Sequence, residues 1–242
     1  MGRWGTVKYY KGKGDAKRAA DFTRLARAIT VAAREGGGDP VFNFQLRSAI
    51  DRAWAGNLPK DNVERAIKKG TGEIASERIE EVVYEGYGPG GTAVLVEALT
   101  DNRNRTSAGV KHAFSLHGGN LGATGSVQWM FLRHGVVSLK TGALTEEQEM
   151  ALIEAGADDI SFAAGSDGSP AVTHIVCAPD ALGKVRMAAE AAGLEVGSAE
   201  FEWQAKDMVP PPEGDARKEL DEMLEMLDDN EDVSAVYTNT TV

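Results

Sequence analysis

The sequence predicts an α+β protein: an N-terminal three-helix domain followed by two ferredoxin-like α/β domains, one inserted in the other. Three observations carry this expectation. Apolar residues in the first third recur at helical spacing. Beyond residue 80, short β-branched runs alternate with helical ones. The first of these β/α sets lacks a closing helix and strand, which the chain supplies at its far end.

In the first third, Asp15 to Arg34 places Phe22, Leu25, Ile29 and Ala33 on one helical stripe, and Gly36-Gly37-Gly38-Asp39-Pro40 ends the helix. A second helix runs from Asn43 to Ala55 with Leu46, Ala49, Ile50 and Ala53 inward. Asn57-Leu58-Pro59-Lys60-Asp61 opens a third, carrying Val63, Ala66 and Ile67 and ending at Lys68-Lys69-Gly70. Next come strands at 81–84 and 92–98, a helix from Asp101 to His117 capped by Thr100 or Asp101, and a strand at 126–131. Strand 135–140, helix 146–155, strands 160–163 and 171–178, helix 181–192 and strand 199–204 give the order β-α-β-β-α-β. Helix 216–227 and strand 233–238 then complete the interrupted set. The expected domains are residues 1–76, residues 77–132 with 207–242, and the inserted 133–206; Met208-Val209-Pro210-Pro211-Pro212-Glu213-Gly214 is the stiff return linker.

Composition excludes several classes. The 242 residues are 42% hydrophobic and 26% charged, as in folded soluble proteins. No apolar run approaches a membrane span, and no secretory signal stands behind Met1-Gly2-Arg3-Trp4. The single cysteine, Cys177, leaves neither an intramolecular disulfide nor a Cys-rich zinc site and reads as a small core residue. A cytoplasmic protein is expected. The net charge of -11 conceals a split: residues 1–75 hold 15 basic and 8 acidic side chains, a net of +7, leaving -18 for the rest. A basic module joined to an acidic body suits contact with phosphates at one end.

That module supplies the candidate site. Lys8, Lys11 and Lys13 interleave with Tyr9 and Tyr10, so that amines can neutralise phosphate while aromatic faces stack on bases. Lys17, Arg24, Arg27 and Arg34 share the arc opposite the first helix's apolar stripe, and Arg18, Arg47, Lys60, Lys68 and Lys69 add to the positive field. Arg103 and Arg105, within Asp101-Asn102-Arg103-Asn104-Arg105-Thr106, either hold phosphate at a helix N-terminus or pair with the body's own carboxylates; both readings stay open.

Other motifs yield no chemistry. Gly86-Tyr87-Gly88-Pro89-Gly90-Gly91 fits the dinucleotide-binding pattern, but a strand follows it where a helix is needed, so it reads as a turn between strands. His112 and His117 lack the spacing of a helical metal pair, so no metal site is expected; His117 reads as a favourable residue at a helix C-terminus. Paired acids such as Asp228-Asp229 read as solvated, and no nucleophile with its base is recognisable.

Several segments resemble the YebC/PmpR family, which includes the mitochondrial translational activator of cytochrome oxidase subunit one. They are 29–40, Pro59-Lys60-Asp61-Asn62, 65–70, 84–91, Leu99 to Thr106, and Gly118-Gly119-Asn120-Leu121-Gly122. The resemblance spans essentially the whole chain. It implies a three-helix domain plus two α/β domains, a cytoplasmic location and no cofactor. It further implies either a DNA-binding transcriptional regulator or a ribosome-associated factor that meets ribosomal RNA and aids translation of proline-rich stretches. The chain departs from the family at its start, where Gly2-Arg3-Trp4-Gly5-Thr6 lacks the usual His and Ser. It departs again at Asn43-Phe44-Gln45-Leu46-Arg47, which replaces Asn-Pro-Arg-Leu-Arg and loses one basic residue. The sequence thus predicts a monomeric, non-enzymatic, nucleic-acid-binding regulator without a membrane partner.

Overall fold

The computed structural model describes residues 15–75, 77–163 and 171–241, with side chains from residue 19 onward. Helices α1 (Asp15–Gly36), α2 (Phe44–Ala55) and α3 (Lys60–Thr71) form the first unit. Their shared core is Ile29, Ala33, Leu46, Ala49, Ala53, Val63 and Ala66, with Phe22 and Leu25 packed against it, as the helical spacing requires. Each fully buried Leu or Ile here contributes about 2 kcal/mol by leaving water. Asn43 ties two helices together: its Oδ1 caps α2 by accepting from Leu46 N, while its Nδ2 donates to Ala32 O and Gly37 O. Gly70, expected as the stop of the third helix, lies inside α3. A Cβ there would meet Thr30 O at 2.5 Å, so this glycine lets α3 press against α1. Gly72, with φ 82, ends the helix.

The first sheet contains β1 (Glu80–Tyr87), β2 (Ala93–Thr100), β3 (Asn120–Leu121) and β8 (Val233–Thr238), in the order β3-β1-β2-β8. Helices α4 (Arg103–Leu116) and α7 (Asp215–Asp228) share a core with it through Val94, Val96, Val110, Phe114, Leu220, Met223, Leu224, Leu227 and Val236. The second sheet lies between β3 and α7 in the chain. It comprises β4 (Phe131–Leu139), β5 (Ala157–Ala163), β6 (Val172–Cys177) and β7 (Val196–Ala205), all pairs antiparallel, in the order β5-β6-β4-β7. With α5 (Glu146–Glu154) and α6 (Leu182–Ala191) this is the ferredoxin-like arrangement, its core built on Val137, Leu139, Leu152, Ile175, Cys177 and Val185. Ala93, Leu95, Val127, Phe131 and Tyr237, with Trp203 against them, join the two sheets.

The strand expected at 126–131 is instead a bend and a short 3-10 turn at Gln128–Met130. Its backbone N–H groups are satisfied by a side chain rather than a neighbouring strand. The buried Glu85 carboxylate accepts from Gly125, Val127 and Gln128 at 2.6, 2.9 and 2.7 Å. Burial alone would push this carboxyl up, but the three backbone donors outweigh it and hold it below the usual range. The third strand of the first sheet is the two-residue β3, paired to Gly86 and Tyr87.

Candidate nucleic-acid interface and the arginine seam

The glycine-rich motif joins β1 to β2 through a 3-10 turn at Pro89–Gly91, so no helix N-terminus faces it. Gly90 and Gly91 take positive φ (69 and 77), whereas Gly88 is extended. Gly88 is small for another reason: a Cβ there would lie 2.8 Å from Met223 Cε.

The structure divides the basic candidates into two groups. In α1, the arc opposite the apolar stripe turns toward the α/β body and its guanidiniums are engaged there. Arg24 Nη2 donates to Asp228 O at 2.5 Å, with Nη1 3.5 Å from Asp228 Oδ1. Arg27 Nη1 donates to Asp232 Oδ1 at 2.6 Å and to Glu231 O at 2.9 Å, with Nη2 3.7 Å from Asp101 Oδ2. Arg34 Nη1 donates to Ile79 O at 2.7 Å. Arg105, from α4, reaches the same carboxylate: Nη2 lies 2.7 Å from Asp232 Oδ1 and 2.8 Å from Asp101 Oδ1, and Nε lies 3.1 Å from Asp232 Oδ2.

Asp232 is the centre of this seam. It is 2% exposed and also accepts from Thr106 Oγ1 at 2.7 Å. Burial pushes its carboxyl up, but the Arg105 and Thr106 hydrogen bonds, with Arg27 beside it, hold it below the usual range. The bonds from Asp232 and Asp101 in turn raise the Arg105 pKa. Asp228, which reads as solvated in the sequence, is therefore a buried acceptor, as is Asp232. At the 101–106 junction the cap is Asn102, which accepts from Arg105 N, rather than Thr100 or Asp101. Arg105 is spent on carboxylates, while the Arg103 guanidinium is exposed and has no hydrogen-bond or ion-pair partner among the described residues.

Arg47 donates to Pro40 O and Val41 O at 3.0 and 3.2 Å, bracing the α1–α2 loop. The second group is on α3. Lys60, whose side chain is 82% exposed, lies 3.7 Å from Glu64. Lys68 and Lys69 are exposed in the last turn, and Arg65 joins them at i, i+3 and i+4, opposite the buried Val63 and Ala66. None of these three has an ion-pair partner among the described residues. Arg65 was absent from the expected site, although its spacing to Lys68 and Lys69 was the available signal. Lys8, Lys11 and Lys13, and the side chains of Lys17 and Arg18, lie outside the described residues. No helix is long and apolar enough to cross a membrane among those described.

Comparison with known proteins accounts for both parts of the chain. Residues 2–73 match the TACO1/YebC protein N-terminal domain, and residues 79–240 match the TACO1/YebC second and third domain. A protein of Caldanaerobacter subterraneus called a probable transcriptional regulatory protein is 46% identical over 239 residues, covering 98% of this chain and 96% of its own. One of the same description from Xanthomonas oryzae is 48% identical over 239 residues, covering 99% and 97%. The crystal structure of a conserved hypothetical protein from Aquifex aeolicus superposes with a TM-score of 0.81 at 40% identity, covering 98% of this chain and 96% of that one. With both parts of the chain matched and near-complete coverage of its relatives, the protein belongs to the TACO1/YebC family.

Proposed function

We propose that the chain is a non-enzymatic regulator of gene expression that binds nucleic acid through α3 and the basic residues preceding α1, acting on DNA as a cytoplasmic transcriptional regulator. One observation carries this reading: Arg24, Arg27, Arg34, Arg47 and Arg52 are all engaged by carbonyls or carboxylates, whereas Arg65, Lys68 and Lys69, which have no ion-pair partner among the described residues, share the exposed face of α3. Guanidinium and ammonium groups on an exposed helix suit phosphate contacts, which are strong, salt-dependent and indifferent to sequence. The names of the relatives support a role in transcription.

Catalysis finds little support. Ser138 and His174 are hydrogen-bonded at 2.9 Å across β4 and β6, but His174 has no second hydrogen-bonded side chain to orient its ring among the described residues. Ribosomal RNA is the second reading, favoured by the same phosphate-directed cations, since a structured RNA is recognised largely by shape and backbone. Sedimentation of the full chain with ribosomes, against retention on duplex DNA in the same salt series, tests both. Retention on DNA lost on reversing Arg65 and Lys69 supports the first reading. Co-sedimentation with ribosomes and no DNA retention replaces it with the second, and binding to neither removes both.

A further inference from the structure

His117, Glu219 and Glu222 bring three metal-ligating atoms to within 4.8 Å of one another. We propose that these residues form a site for a divalent transition-metal ion of the zinc type, which clasps α4 to α7. His117 is the C-terminal cap residue of α4, and its Nδ1 lies 2.9 Å from Glu219 Oε2 and 3.7 Å from Glu222 Oε2. Ligand atoms bound tetrahedrally to one such ion, at bonds of roughly 2.1 Å, stand about 3.4 Å apart, so both distances bracket the required spacing. Imidazole with carboxylates is a zinc-compatible donor set, and water can complete the shell.

The scaffold is already rigid at this point. Glu219 and Glu222 are three residues apart on α7 and therefore share a face, while the adjacent Leu220 and Met223 pack in the same core as Ala113 and Phe114 of α4. The imidazole is 11% exposed and forms the floor, whereas both carboxylates are 46% exposed and leave the mouth open to an ion and its waters. The charge balance favours a cation as well. Two carboxylates converge on the negative end of α4, and Lys218, 3.7 Å from Glu222 and 75% exposed, is a weak counter-charge. Because α4 precedes the inserted sheet and α7 follows it, an ion here would fasten the two halves of the interrupted unit.

The test uses the full chain, stripped with EDTA and titrated with ZnCl2 by calorimetry and by thermal unfolding, with CoCl2 absorption as the geometric probe. The expected result is one saturable zinc site per chain, a zinc-dependent rise in melting temperature, and a visible cobalt spectrum of tetrahedral intensity. His117→Gln, Glu219→Gln and Glu222→Gln should each weaken zinc about tenfold or more, while MgCl2 gives no comparable stabilisation. Each variant is compared with and without metal, so an altered baseline stability does not enter the readout. Absence of a saturable site, or full affinity retained in any of the three variants, overturns the proposal.

Discussion

Arg27 and Asp232 are separated by 205 positions in the chain, yet the Arg27 guanidinium meets the Asp232 carboxylate at 2.6 Å. The contact fastens α1 to the turn leading into β8, and Arg105 approaches the same carboxylate from α4. Asp232→Ala would leave two guanidiniums without their shared acceptor. Removing one partner of a buried pair typically costs about 3 kcal/mol. Urea unfolding should show a loss of that order; a change within about 0.5 kcal/mol, as for ordinary surface substitutions, would refute this assignment.

The same carboxylate sets a pH dependence. Its folded pKa lies below the ordinary 3.8, so its stabilisation is present in full above 3.8 and disappears as pH falls through the folded value. Glu81 runs the other way: although exposed on β1, it is partly desolvated by its neighbours, and this, then Glu35 and Glu97, push it above 4.5. Its favourable contribution is complete below 4.5 and is lost as pH rises through its folded value. Glu81→Gln should therefore raise the melting temperature at neutral pH, and the gain should vanish in acid. Equal gains at both pH values would contradict this.

Reversing Arg65 and Lys69 to Glu should weaken duplex binding and flatten the dependence of log affinity on log salt by about 2 units, roughly 0.9 for each lost phosphate contact. The melting temperature should barely move, because both side chains are exposed. Reversing Arg24 and Arg27 should give the opposite pattern, with a large loss of stability, since these two groups hold the seam. Filter binding across a salt series, paired with thermal unfolding, separates the two cases.

Gly90→Ala should cost about 1 kcal/mol or more, because φ 69 is a left-handed conformation and the new methyl would stand 2.6 Å from Pro212 Cβ. Gly88→Ala should cost less. Its backbone is already extended, and the close neighbour is the flexible end of Met223. Calorimetry with NAD and ATP should register no saturable heat, whereas binding abolished by Gly88→Ala would revive the dinucleotide reading.

Local signals were legible in the sequence and distant ones were not. The β8 limits, the start of α2 at about Asn43 and the stripe of α1 follow from neighbours within a few residues, so propensity and periodicity reach them. The segment at 126–131 misled because Val127 and Phe131 are indeed buried, as in a strand, but Glu85 answers the backbone donors. The arginine arc was visible, yet its acceptors at 228 and 232 lie about two hundred residues away, so the seam looked like a free face. His117 is visible in the sequence, but its carboxylate neighbours come from α7, beyond the inserted sheet, so no local spacing joins them.

The interrupted first sheet has a consequence for synthesis. Strand β2 pairs with β8, and α7 brings Leu220, Met223, Leu224 and Leu227 to the same core. A ribosome adding about 5–20 residues per second makes β2 and then needs roughly ten seconds to deliver these partners. During that interval the three-helix unit and the inserted sheet can each close on their own residues, while β2 waits with an open apolar edge. The nascent chain is then most exposed to misassociation just as it is nearly finished. A stop anywhere between the inserted sheet and α7 would release two sound cores joined by a defective one.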